Sequence, residues 1–172
     1  LAEHMLKTSD DPALRFQLLT QQIDDIRTTL FRQTLFAEFE LEAHRMVERG
    51  EALTADNLSA LYIDLIKHYY GPDLVIDENL DIEWARIPHF YRAFYVYQYS
   101  TGISAALALA DRIKREGQPA ADDYLSFLRG GSSKSSIDLL KGAGVDMTTP
   151  EPVQRAMDAF DGWMDQLEQL IA

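Results

Sequence analysis

The residues of this chain whose types and spacing could do chemistry are gathered in one run, "WARIPHFYRAFYVYQYSTG", residues 84 to 102. Between Phe90 and Tyr99 six of ten positions are aromatic, in a chain that is only 10% aromatic. Four of its eight tyrosines, Tyr91, Tyr95, Tyr97 and Tyr99, fall within nine residues, and His89 precedes them beside Pro88. Neutral phenol and imidazole groups donate hydrogen bonds to a developing oxyanion, and equally to the carbonyls of an extended peptide. They are not a catalytic set on their own, because no activated nucleophile accompanies them. Periodicity offers a plainer alternative, since aromatics at helical spacing are ordinarily core. On a helix Phe90, Phe94, Tyr97 and Thr101 fall on one side, and Tyr91, Tyr95 and Tyr99 on another. Both faces are then aromatic, and buried phenols need hydrogen-bond partners. Spacing alone leaves core and site both open.

Other polar groups carry weaker signals. Glu40, His44 and Glu48 step by four and share a helix face that could hold a metal. Their neighbours are charged, so the better reading is a solvated face with Glu–His and Glu–Arg pairing. His68 closes a helix beside Tyr69 and Tyr70, where a cation is favourable, and His4 lies near the start. The turn Gly130-Gly131-Ser132-Ser133 lacks the strand and the Gly-Lys-Ser/Thr signature of a phosphate loop and reads as a helix stop.

The elements that must position these residues read as helices throughout. Phe16, Leu19, Ile23, Ile26 and Leu30 step by three and four. The stripe then shifts by one residue and continues through Phe31, Leu35, Phe39, Ala43 and Met46. With no Pro or Gly between Pro12 and Gly50, one or two long helices are expected there. "LTADNLSALYIDLIKHYYGP" predicts a helix capped by Thr54 and ended by Gly71-Pro72. An acidic connection follows, and a helix is expected from near Pro88 to about Arg115. Asp122 to Arg129, the segment after Ser135 up to Gly142, and a helix with Thr149 as cap and Pro150 at its first position complete the list. No stretch alternates long enough for a strand. The fold class is all-α, and residues 1–172 are expected to form a single domain.

Composition narrows the function classes. The 172 residues carry a formal net charge of -12, which argues against nucleic acid and against an anionic membrane surface. The absence of cysteine removes disulfides, thiolate metal sites and cysteine nucleophiles, and agrees with a cytoplasmic location. No apolar run approaches the roughly 18 to 20 residues of a membrane span, and "LAEHMLKTSDD" lacks the pattern of a signal peptide. Without an initiator Met, the chain opens as though cut from something longer.

"FRQTLFAEFELEAH", "LYIDLIKHYYGP", "WARIPHFYRAFYVYQYSTG" and "YLSFLRGGSSKSSIDLLKGAGVDM" resemble, in succession, the C-terminal part of the oligoendopeptidase F family. These are zinc metallopeptidases of the thimet-oligopeptidase type. The resemblance implies a helical bundle forming the C-terminal part of a zincin-type catalytic domain, and hydrolysis of short peptides in the cytoplasm. It implies zinc in the full-length parent, held by the two His of H-E-x-x-H and a later Glu, with the motif Glu as general base. It implies His89 and Tyr97 as donors to oxyanion and substrate, with Tyr91 close by, and Tyr95, Tyr99 and Arg92 as substrate-binding residues. The departure is that no H-E-x-x-H occurs in the 172 residues. The expectation is therefore a fragment carrying the substrate-side half of the centre, without its own metal and inactive alone. Its expected partners are short peptides, the missing N-terminal part and, through uncovered apolar surface, a second copy of itself. The rival reading is a non-catalytic helical module whose tyrosine-rich groove binds a peptide or a partner helix.

Overall fold

A computed structural model of the chain describes residues 2–172. Among the described residues there are eight α-helices and no strand, as the periodicity predicts. They are α1 (Ala2–Thr8), α2 (Pro12–Ile26), α3 (Arg32–Glu48), α4 (Ala55–Tyr70), α5 (Tyr97–Glu116), α6 (Gln118–Gly130), α7 (Ser136–Gly142) and α8 (Glu151–Ile171). No helix is long and apolar enough to cross a membrane among the described residues.

The one-residue shift of the apolar stripe at Leu30 and Phe31 has a structural counterpart. Arg27–Phe31 is a π-helical turn between α2 and α3. A π turn accommodates one extra residue per turn, so it rotates the following face by the same step that the sequence displays. Caps behave locally, as capping chemistry requires. Thr54 accepts the Asn57 amide at 3.2 Å to start α4, and Ser135 accepts the Asp138 amide at 3.2 Å to start α7. Gly50 (φ 79) and Gly71 (φ 77) take the left-handed region just past α3 and α4, where a side chain would be strained. Helix α6 starts four residues before Asp122, because Pro119 in its first turn needs no amide partner. Helix α8 begins at Glu151 with Pro150 as its cap and Pro152 in its first turn, one residue beyond the expected start.

The chain packs as two compact units, one from Leu1–Leu30 with Thr101–Ala172, the other from Phe31–Ser100. In the first, α2 packs on α8 and α6 on α7. Its core is mostly aliphatic and small, with Leu19, Ile26, Ala105, Ala108, Leu109, Ala143, Val145 and Ala156 buried beside one large aromatic, Trp163. In the second, α3 packs on α4, and α4 on a 3₁₀ segment, Leu80–Arg86. Its core is aromatic, with Phe36, Phe39 and Tyr62 among Leu35, Leu65, Ile66, Ile87 and Val96. All of residues 84–99 belongs to this second unit.

One expectation needs correction where it matters most. No helix begins at Pro88. The chain makes a single 3₁₀ turn, Pro88–Tyr91, then a turn through residues 92–95, and α5 starts only at Tyr97. Proline fixes its own φ and supplies no amide, which suits the start of a turn. What stops the turn from growing into α5 is Phe94, the only non-glycine residue with positive φ (57) among those described. A left-handed residue cannot continue a right-handed helix. The two helical faces expected for the tyrosines therefore hold only from Tyr97 onward.

Candidate functional site

The site is built on the segment from Pro88 to Ser100, and its position is set by α3. Phe90 lies against two α3 rings, Phe39 at 5.3 Å and Phe36 at 5.8 Å between centroids. Four residues later the Phe94 amide donates to Glu40 Oε1 at 2.8 Å. Val96, fully buried, holds the start of α5. The turn between is closed by the Tyr95 amide donating to the Arg92 carbonyl at 3.1 Å. These anchors are needed, since a left-handed non-glycine residue costs about 1–2 kcal/mol.

On this frame His89, Tyr95 and Tyr99 come together. The His89 and Tyr95 rings stack 6.0 Å apart with planes 4° from parallel. Tyr99 stands edge-on to both, at 5.4 Å from His89 and 5.6 Å from Tyr95. His89 Nε2 lies 3.1 Å from the Tyr99 hydroxyl. Depending on the tautomer, the phenol donates to an unprotonated ring nitrogen or accepts from a protonated one. The hydrogen bond with Tyr95, and after it burial, push the Tyr99 phenol above its ordinary pKa. Like any phenol with a pKa of about 10 or higher, it is protonated at neutral pH and can donate. Arg92 places its guanidinium 5.8 Å from the Tyr95 ring centre, within cation–π reach. The result is a half-open cluster of neutral donors beside one cation, chemically able to hold a carbonyl or carboxylate oxygen.

The other two tyrosines lie outside this ring cluster. Tyr91 is 85% exposed. It lines an apolar groove of about 240 Å³ with Phe39, Trp84, Ile87, Phe90 and Leu53. Tyr97, 49% exposed, lines a second groove with Phe94, Tyr69 and Leu41. Both grooves share Glu40 as part of their wall.

Glu40 is the residue the sequence reading misplaced. It is not on a solvated face but 5% exposed, bonded to the Phe94 amide. His44 Nδ1 lies 2.8 Å from the Glu40 carbonyl oxygen, and its ring meets Phe94 at 4.6 Å. Glu48 is exposed. The physical reason is positional: Glu40 falls four after Phe36 and three before Ala43, inside the apolar stripe, and that register was the available signal. Glu83 is a second missed carboxylate, 8% exposed. It accepts the Tyr62 hydroxyl at 2.7 Å and Arg32 at 2.5 Å, and it also pairs with Arg86. Burial alone would raise its pKa; the bonds from Tyr62 and Arg32 outweigh this and hold it below the usual carboxylate range. Burial, then the bond to Glu83, push the Tyr62 phenol well above its ordinary value. His68 makes an edge contact with Tyr69 at 5.6 Å. Among the described residues no three His, Cys, Asp or Glu side chains are grouped so as to hold a metal.

Comparison with known proteins places this helical scaffold in a class. A family model for peptidase family M3 matches residues 2–159, and the chain belongs to that family. It is 48% identical over 171 residues to oligopeptidase PepF of Bacillus subtilis, which covers 99% of this chain and 26% of that protein. It is 40% identical over 171 residues to the chromosomal oligoendopeptidase F of Lactococcus lactis subsp. cremoris, covering 99% of this chain and 28% of that one. The crystal structure of oligoendopeptidase-F from Enterococcus faecium superposes with a TM-score of 0.95 at 44% identity, over 99% of this chain and 33% of that chain. The chain thus spans between a quarter and a third of the length of these relatives.

Proposed function

We propose that this chain is the C-terminal, substrate-side portion of a zinc-dependent oligoendopeptidase that hydrolyses short peptides in the cytoplasm, and that residues 1–172 form one part of a larger catalytic domain. Membership of peptidase family M3 and the names of the relatives support peptide hydrolysis. The residues described do not make a zinc site. The metal and the general base belong to the rest of the parent, and what this chain contributes is binding. His89 and Tyr99 form a hydrogen-bonded pair that presents its remaining donor toward a substrate oxygen, with Tyr95 stacked behind His89 and Arg92 beside it. Tyr97 and Tyr91 line the two flanking grooves, where they meet substrate side chains or backbone and, for Tyr97, the oxyanion. The observation that carries this reading is the 3.1 Å approach of His89 Nε2 to the Tyr99 hydroxyl inside a half-open aromatic cluster.

In the parent enzyme, removing one oxyanion donor costs about 2.7 to 4 kcal/mol, roughly a hundred- to a thousandfold in kcat. The chain alone is expected to be inactive toward a quenched fluorescent peptide with added zinc. Supplying the preceding portion of the parent in trans should restore chelator-sensitive cleavage, and His89→Ala should abolish that restoration. Zinc-dependent turnover by the 172 residues alone would overturn the division of labour. The apolar groove at Tyr91 favours a second reading, a non-catalytic module that binds a peptide or partner helix, or a second copy of this chain. Peptide affinity unchanged by His89→Ala, with no restoration in trans, would select it.

A further inference from the structure

We propose that Glu40 is a positioning residue, whose buried carboxylate fixes the left-handed turn at Phe94 and thereby holds His89 and Tyr95 in register with Tyr99. This rests on the reading of that cluster as the substrate-binding site. Helix α3 grips the segment at two points, Phe90 through its rings and Phe94 through Glu40 Oε1. The two stacked rings are the immediate neighbours of those grips: His89 precedes Phe90 and Tyr95 follows Phe94. The spacing between the grips therefore sets the spacing of the stack, and Tyr99, one turn into α5, closes on both.

The chemistry of Glu40 supports a dedicated role. A carboxylate 5% exposed is costly to keep unless it is bonded. Among the described residues Glu40 makes no ion pair, and the hydrogen bond on its side chain comes from the Phe94 amide. His44 reinforces the arrangement from the next turn of α3, bonding the Glu40 carbonyl and setting its ring, tilted by 40°, against the Phe94 ring. One buried acid is thus committed to the single backbone position whose φ is strained. Because Glu40 also walls both grooves, its loss would loosen the surroundings of Tyr91 and Tyr97 together.

Two conservative variants of the full 172-residue chain separate reach from charge. Glu40→Gln keeps an oxygen at the same distance, whereas Glu40→Asp keeps the charge but withdraws it by about 1.5 Å, one carbon–carbon bond. The measurements are hydrogen exchange at the Phe94 amide and the NMR titration of the Tyr99 phenol, which faces His89, Tyr95 and Arg92. In Glu40→Asp the amide should exchange about ten- to a hundredfold faster, and the Tyr99 titration should fall back toward the ordinary phenol value. In Glu40→Gln both should remain near the parent. If the two variants behave alike, or if Asp leaves the Tyr99 titration where it was, the positioning role is overturned. A shifted titration in Glu40→Asp with unchanged peptide binding would uphold the positioning role and discard the site reading instead.

Discussion

The two units of this chain are built by different means. The unit of Leu1–Leu30 and Thr101–Ala172 buries mainly aliphatic and small side chains with one large ring, Trp163, and none of its described carboxylates is buried. Arg155 bridges Asp111 and Glu151, and Arg115 joins Asp111 one turn away. The unit of Phe31–Ser100 buries aromatic rings and, with them, two carboxylates, Glu40 and Glu83. Pairs at the surface contribute little each, because water screens them. A buried carboxylate is different in kind, since its removal strands the donors aimed at it. The comparison teaches that the first unit follows from helical periodicity, whereas the second holds irregular backbone in place with buried polar bonds. That irregular backbone is what carries the candidate site.

The sharpest break of this contrast is at Glu83. Glu83→Ala should destabilise the chain by about 3 kcal/mol in denaturant unfolding, because Arg32 and the Tyr62 hydroxyl lose their partner. Arg155→Ala, its counterpart in the other unit, should stay within about 0.5 kcal/mol. Equal effects would dissolve the distinction.

Acid should test the buried carboxylate of the second unit as well. Glu83 has a folded pKa held below its unfolded value of 4.5. The stability it contributes is therefore present above pH 4.5 and lost as pH falls below it. Wild-type stability should drop on acidification through that range, and Glu83→Gln should flatten the drop. Tyr62 has the opposite sense. As an acid whose folded pKa is raised above 10.0, it stabilises the fold below pH 10 and that contribution disappears only in stronger alkali.

Loss of a helix cap should have a modest effect, the same in both units. Thr54→Ala at the head of α4 and Ser135→Ala at the head of α7 each remove one capping acceptor. Each should cost about 1 kcal/mol, measured by thermal or denaturant unfolding. A cap is a local device, so a large difference between the two would show that tertiary strain reaches the helix ends.

Much of the helical framework was legible because it depends on near neighbours in sequence. The stripe from Phe16 to Met46, its one-residue slip, the cap at Thr54, and the stops at Gly50 and Gly71 are set by spacing and by single residues. The aromatic density of residues 84–102 likewise marked where a site could lie, and short sequence motifs marked the family. The arrangement of that site was not legible. A helix from Pro88 satisfied every local rule, and a bulky Phe94 gave no hint of a left-handed turn. Glu40 decides it, 54 residues away in sequence and 2.8 Å away in space.

The sequence by itself determined the all-α class, the absence of thiol chemistry and the place where phenols and imidazole concentrate, since these follow from composition and short-range periodicity. Only the tertiary structure decided that His89 meets Tyr95 and Tyr99, while Tyr91 and Tyr97 line separate grooves. The reason is that a strained turn persists only where distant groups overrule local preference. Here a buried carboxylate and two rings of α3 do so.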